Sequence, residues 1–221
     1  MTVTVIIVAG GSGTRFKSKT LKPFVLLKGK PLITHSLRIF EQNKAINGII
    51  IVGHQAYLER FEALARSFKK VHAVVPGGET RAQSVKQGLA AVDAETDIVL
   101  VHDAARPLVN QAIIDRLVAA LVKNKAVIAA VPVKATIKQV NAKTQYVEET
   151  LKRDLLWDVQ TPQGFHKDIL IKAHAQAFKG EATDDAMLVE NLGVKVKVVM
   201  GDYRNIKITT PEDLIIAKTL L

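Results

Sequence analysis

Six short runs of apolar, largely β-branched residues punctuate the chain, near positions 3–8, 46–52, 71–75, 98–102, 126–133 and 194–200. A short apolar run bounded by glycine, proline or charge reads as a strand buried on both faces. Helical periods lie between most of them. Ile113, Ile114, Leu117, Val118 and Leu121 fall on one face of a 3.6-residue repeat. Thr210-Pro211-Glu212-Asp213 carries the marks of a helix start: a capping hydroxyl, a first-turn proline and two acids that favour the helix dipole. Such alternation predicts an α/β fold, a mostly parallel sheet flanked by helices.

In sheets of this kind ligands bind beyond the carboxyl ends of the strands. Glycine and charge gather at those places here. "AGGSGTR" follows the first run, "PGGETRAQS" (76–84) the third and "HDAARP" (102–107) the fourth. The glycines Gly10, Gly11 and Gly13 remove side chains where the chain must turn and bare backbone N–H groups that can cradle an anion. Alone, the same stretch would serve as a tight turn carrying two solvated cations, Arg15 and Lys22.

One region breaks the alternation. Positions 134–149 hold two short β-like runs around Asn141-Ala142-Lys143, too polar to fill a core on both faces. A surface hairpin and an arm reaching over a second subunit fit this pattern equally.

Composition narrows the partners. The 221 residues, 48% hydrophobic, suit one domain over 1–221. Without cysteine there are neither disulfides nor thiolate metal sites, which suits a cytoplasmic setting. No run approaches the ~20 apolar residues of a membrane helix, and the first strand lacks a basic leader. A net charge of +10 fits an anionic partner, although a lysine-rich soluble surface accounts for it as well. The scattered lysines and the low aromatic content, 5%, argue against nucleic acid and leave phosphorylated small molecules.

Two phosphate motifs are excluded. The dinucleotide fingerprint needs glycine where Phe16 stands, and the P-loop needs a Gly-Lys pair that this loop lacks. A loop rich in N–H donors followed by Arg15 and Lys22 suits a nucleoside triphosphate with its reacting phosphorus exposed.

"AGGSGTR" with a lysine seven residues on resembles the signature of nucleotidyltransferases that make NDP-sugars and CDP-alcohols. Six further stretches, "GGETRAQSV", "LVHDAARP", "VPVKATIK", "LKRDLLWDVQTPQGF", "TDDAMLVE" and "NIKITTPEDL", resemble in order the 2-C-methyl-D-erythritol 4-phosphate cytidylyltransferase family. The resemblance implies a Rossmann-like nucleotidyltransferase fold with a protruding β-arm, at about 134–155, that builds a homodimer. It also implies transfer of CMP from CTP to a polyol phosphate with Mg²⁺, releasing pyrophosphate, in the non-mevalonate isoprenoid pathway, with neither nucleic acid nor membrane as partner.

By the same resemblance Arg15, Lys22, Arg153 and Lys207 are catalytic. Ala9, Gly10, Gly11, Gly13, Gly78, Arg81, Ser84 and Asp103 surround the nucleotide, Asp103 also placing Mg²⁺. Arg106, Thr136, Arg153, Thr161 and Thr183 hold the second substrate, with Thr136 and Arg153 reaching into a neighbouring subunit. Plainer roles exist for several of these residues. Lys207 would be an outward lysine on an "IKI" strand, Thr161 the start of a turn before Pro162, Thr183 a helix cap and Asp103 a turn cap. His102 and Trp157 read as packing residues. Ala135, Gly10 and Leu21-Lys22-Pro23 depart from the common pattern of aspartate, alanine and Pro-Lys-Gln. A ribitol 5-phosphate cytidylyltransferase is the nearest alternative, and a basic non-catalytic nucleic-acid-binding protein is the alternative of another class.

Overall fold

The computed structural model describes residues 1–11, 16, 20–178, 180 and 182–221. The organising element is a seven-stranded sheet in the order β11-β7-β10-β6-β1-β4-β5. Its strands are β1 (Val3–Ala9), β4 (Gly48–Gly53), β5 (Val71–Pro76), β6 (Ile98–Asp103), β7 (Ala126–Pro132), β10 (Trp157–His166) and β11 (Lys197–Met200). Strands β6, β1, β4 and β5 run parallel to one another, and β11 runs parallel to β7. β10 lies antiparallel between β6 and β7.

Six of these strands coincide with the apolar runs. β10 does not, and the reason is local. Pro162 and Gly164 interrupt its pattern, and the β10–β7 register shifts between Val159 and Gln163. A proline without an N–H is tolerated in a sheet at such an irregularity.

Side chains alternate across β1 as the pleat requires. Val3, Val5, Ile7 and Ala9 enter one core with α1 (Leu32–Gln42), α2 (Leu58–Ala65) and α4 (Gln111–Leu121). Ile6 enters the other, with α3 (Arg81–Ala90), α5 (Lys167–Ala175) and α6 (Asp185–Glu190). On α4, Ile113, Ile114, Leu117 and Leu121 are buried, as their spacing predicts. The closing helix α7 (Pro211–Leu220) begins at the expected cap, where the Thr210 N–H donates to Asp213 Oδ2 at 2.8 Å. It packs with a small hairpin, β2 (Leu26–Leu27) and β3 (Lys30–Pro31), around Leu27, Leu32, Ile208 and Ala217.

The polar region at 134–149 forms an exposed antiparallel hairpin, β8 (Lys138–Val140) with β9 (Val147–Thr150). Tyr146, Val147, Leu155 and Trp157 are exposed on and beside it. Trp157, the first residue of β10, is 41% exposed and so only partly packed within its own chain.

Candidate active site

Four adjacent parallel strands deliver their carboxyl ends to one rim, and a cleft of about 680 Å³ opens there. β1 contributes Ala9, Gly10 and Gly11; β6 contributes Asp103 and the following Ala104 and Ala105. Gly77, Gly78 and Thr80 follow β5, and His54 and Gln55 follow β4. Lys22 and Lys207 enter from loops outside the sheet.

The glycines are there because the walls are close. A Cβ at Gly77 would come within 2.9 Å of Ser84 Oγ, and one at Gly78 within 2.4 Å of Gln83 Cβ. Ser84 holds this turn: its hydroxyl accepts the Gly78 N–H at 3.1 Å and donates to the Thr80 carbonyl at 3.0 Å. Thr80 caps α3 through a reciprocal capping box with Gln83, which fixes Arg81 at the first helical position. Gly10 is looser, since a Cβ there would lie 3.6 Å from Gly77 Cα and Ser84 Oγ.

Asp103 is the electrostatic centre. Its Oδ2 meets Lys207 Nζ at 2.6 Å and its Oδ1 meets Arg81 Nε at 3.2 Å. Burial alone would raise its pKa. The Arg81 and Lys207 cations outweigh that and hold the carboxyl well below the usual carboxylate range. Lys207 thus does not stand on a strand facing outward. Its segment is irregular backbone between β11 and α7, tied to the rim where the Ile208 N–H donates to the Ala105 carbonyl at 2.8 Å. Lys22 opens a short 3₁₀ turn, Lys22–Phe24, and its ammonium donates to the Ile208 carbonyl at 3.3 Å. Two cations that lie 185 positions apart in the chain are thereby anchored to the same loop.

Behind Asp103 lies a buried relay of hydrogen bonds. The Asp103 N–H donates to Thr161 Oγ1 at 3.0 Å, and that hydroxyl contacts His102 Nδ1 at 3.1 Å. His102 Nε2 lies 3.2 Å from the Arg106 carbonyl. Enclosure in this site, the main cause, lowers the His102 pKa to about 4. The ring is therefore neutral near pH 7, its Nε2–H donating to Arg106 and its Nδ1 accepting from Thr161. Arg106 is itself buried and donates to the carbonyls of Asn205 and Val159, at 2.7 and 3.1 Å. It does not line the main cleft but a smaller cavity of about 340 Å³ beyond Lys207, shared with Asp158 and Tyr203.

The expected residues that the structure describes therefore fall into three groups. Ala9, Gly10, Gly11, Lys22, Gly78, Arg81, Ser84, Asp103 and Lys207 meet at one cleft. Thr161 and Arg106 stand behind it. Thr136, Arg153 and Thr183 are exposed and do not line it; Arg153 donates to the Lys134 carbonyl at the base of the hairpin. Gly13 and Arg15 lie outside the described residues. His54 and Gln55 were missed, although "GHQ" stands directly after the second apolar run, where the strand-end rule would have found it. Among the described residues no group of three or more His, Cys, Asp or Glu side chains is arranged to hold a metal. No described helix is long and apolar enough to cross a membrane.

Comparison with known proteins gives this geometry its family. The model of the 2-C-methyl-D-erythritol 4-phosphate cytidylyltransferases matches residues 3–221. The chain belongs to that family. The enzyme of that name from Alkaliphilus metalliredigens is 46% identical over 99% of this chain and 92% of its own length. That from Geobacillus kaustophilus is 44% identical over 100% and 97%. Among solved structures, the 4-diphosphocytidyl-2C-methyl-D-erythritol synthase of Anaerococcus prevotii superposes with a TM-score of 0.88 at 34% identity, covering 99% of this chain and 95% of that one. The Thermus thermophilus cytidylyltransferase gives 0.80 at 32% identity, covering 100% and 98%. The mixed, mostly parallel sheet with its added hairpins is the fold of those structures.

Proposed function

We propose that this chain joins CTP to 2-C-methyl-D-erythritol 4-phosphate, releasing pyrophosphate, in the cleft at the ends of β1, β4, β5 and β6. The observation that carries the reading is the convergence of Lys22, Lys207 and Arg81 with the glycine-lined turns around one carboxylate, Asp103. A phosphate oxygen of the polyol phosphate attacks the α-phosphorus of CTP in line, and the P–O bond to pyrophosphate breaks. No general base is needed, because a phosphate monoester with a second pKa near ~6 is already mostly dianionic at neutral pH. The protein's work is to bring two anions together and to stabilise charge on the equatorial oxygens.

Each part of the cleft has a share in this. The Gly10–Gly11 and Gly77–Gly78 turns admit the nucleotide close to backbone, with Ala9, Arg81 and Ser84 shaping the wall for base and ribose. Gly13 and Arg15 follow these glycines in the sequence and are given to the triphosphate by the family resemblance. Lys22 neutralises the triphosphate and Lys207 the attacking phosphate. Thr161 steadies Asp103 from behind, while Arg106 and Thr183 flank the second substrate. Asp103, a single carboxylate already shared between two cations, is the residue that would hold a Mg²⁺ ion brought with the triphosphate. When bound, that ion neutralises phosphate charge and favours departure of pyrophosphate.

The hairpin, we further propose, is a dimerisation arm. Its exposed Tyr146, Val147 and Trp157 give it an apolar surface that a second copy would cover, and Thr136 and Arg153 lie at its base. In the dimer these two would complete the phosphate site of the partner. The test is pyrophosphate release from CTP and Mg²⁺ over a panel of polyol phosphates, with product mass. Release with 2-C-methyl-D-erythritol 4-phosphate but not with ribitol 5-phosphate is expected. Preference for the ribitol ester, or for UTP over CTP, would overturn the assignment.

A further inference from the structure

Asp185, the first residue of α6, is a carboxylate with about 1% of its surface exposed, and the transfer chemistry does not use it. Burying such a charge costs several kcal/mol unless it is well paired. It has two partners from separate elements: Arg81 Nη1 at 2.7 Å and His174 Nε2, on α5, at 3.0 Å. The same guanidinium gives its Nε–H to Asp103 at 3.2 Å. One planar fork thus spans two carboxylates, one open to the cleft and one sealed beneath it. Because the fork is rigid, the geometry of the sealed contact sets that of the open one.

Asp185 also shares a segment with Thr183. Asp184 caps α6 and accepts from Gln163 on β10 at 2.7 Å, and Gln163 Oε1 accepts the Ala186 N–H at 3.3 Å. The backbone that carries Thr183 is therefore fastened to the sheet on one side and, through Asp185 and Arg81, to the cleft floor on the other.

We propose that Asp185 is a positioning residue for the transfer reaction: through Arg81 it fixes the Asp103 carboxylate, and through its own segment it fixes the backbone of Thr183, which the reading above gives to the polyol phosphate. This rests on the reading above that Asp103 and Thr183 serve the two substrates.

The test compares Asp185→Asn, which keeps size and removes charge, with His174→Gln, which disturbs the other contact of the same carboxylate. Wild-type turnover of CTP and 2-C-methyl-D-erythritol 4-phosphate is the control; its absence would end the functional reading itself. With that control positive, Asp185→Asn is expected to lower kcat/KM for the polyol phosphate at least about tenfold, while calorimetric binding of CTP alone stays within about threefold. His174→Gln is expected to lower the melting temperature but to leave kcat/KM within about twofold. Equal kinetic losses in both variants, or unchanged kcat/KM in Asp185→Asn, would overturn the proposal. Should Asp185→Asn not fold, Asp185→Glu decides, since the added methylene keeps the charge but displaces the carboxylate from the Arg81 fork. The same selective loss supports the proposal, and unchanged kcat/KM overturns it.

Discussion

Gly10 stands where the family resemblance leads one to expect alanine, and the space around it would admit either residue. A Cβ there would meet its neighbours at ordinary contact distance, 3.6 Å, whereas one at Gly78 would strike Gln83 at 2.4 Å and break the cap of α3. Gly10→Ala is therefore expected to keep kcat/KM for CTP within about twofold, and Gly78→Ala to lower it at least about tenfold, in steady-state assays. His102 offers a second test. Its pKa is 6.5 in the unfolded chain and about 4 in the fold, so the unfolded state takes up the proton first. The stability of the neutral ring is whole above pH 6.5 and is lost as pH falls from there toward 4. The folding equilibrium should weaken by up to about tenfold per pH unit across that window from this one group. Urea titrations without nucleotide or metal at pH 7.5 and pH 5 would show it, and His102→Gln should flatten the dependence.

The elements of this fold differ in how plainly the sequence announces them. Strands buried on both faces leave continuous apolar runs, so β1, β4, β6 and β7 were legible; the edge strands β5 and β11 are only partly buried but keep apolar runs, and the faces of α4 and the cap of α7 were legible too. β10 was not, because Pro162 and Gly164 sit in it for tertiary reasons. A Cβ at Gly164 would come within 2.6 Å of Leu121 Cδ1. The strand-like alternation of "IKI" offers an outward strand lysine as the plainer role for Lys207, yet the next residue, Ile208, gives its N–H to the Ala105 carbonyl rather than to a ladder. Motif matching found most of the cleft. It could not find Asp185 as a partner of Arg81, since 104 residues separate them and no local pattern marks a long-range ion pair. Packing between α3 and the sheet is similarly invisible and similarly testable. A Cβ at Gly88 would lie 2.7 Å from Ile6 Cγ2 and 2.9 Å from Val52 Cγ2. Gly88→Val should therefore cost on the order of 1–3 kcal/mol in chemical denaturation.

The whole molecule joins a charged cleft to an exposed arm, and the proposed dimer is what would make the two one site. If Arg153 acts across the interface, mixing two inactive variants should restore activity. Re-associated Arg153→Ala and Lys22→Ala chains would give hybrid dimers with one intact site each, about a quarter of wild-type activity at equal mixing. No recovery, with hybrids verified by native mass spectrometry, would place Arg153 in its own subunit's site. The net charge of +10 has its use here too, since both substrates and both products are anions that a positive field draws to the rim of the sheet. The central claim is that cations converging there stabilise the transferring phosphorus rather than merely binding CTP. Single-turnover kinetics of Lys22→Ala at saturating CTP and polyol phosphate tests it most directly. The expected result is a chemical step slowed at least about a hundredfold in a chain that still folds and binds CTP within about tenfold of wild type. A chemical step within about twofold of wild type would contradict it.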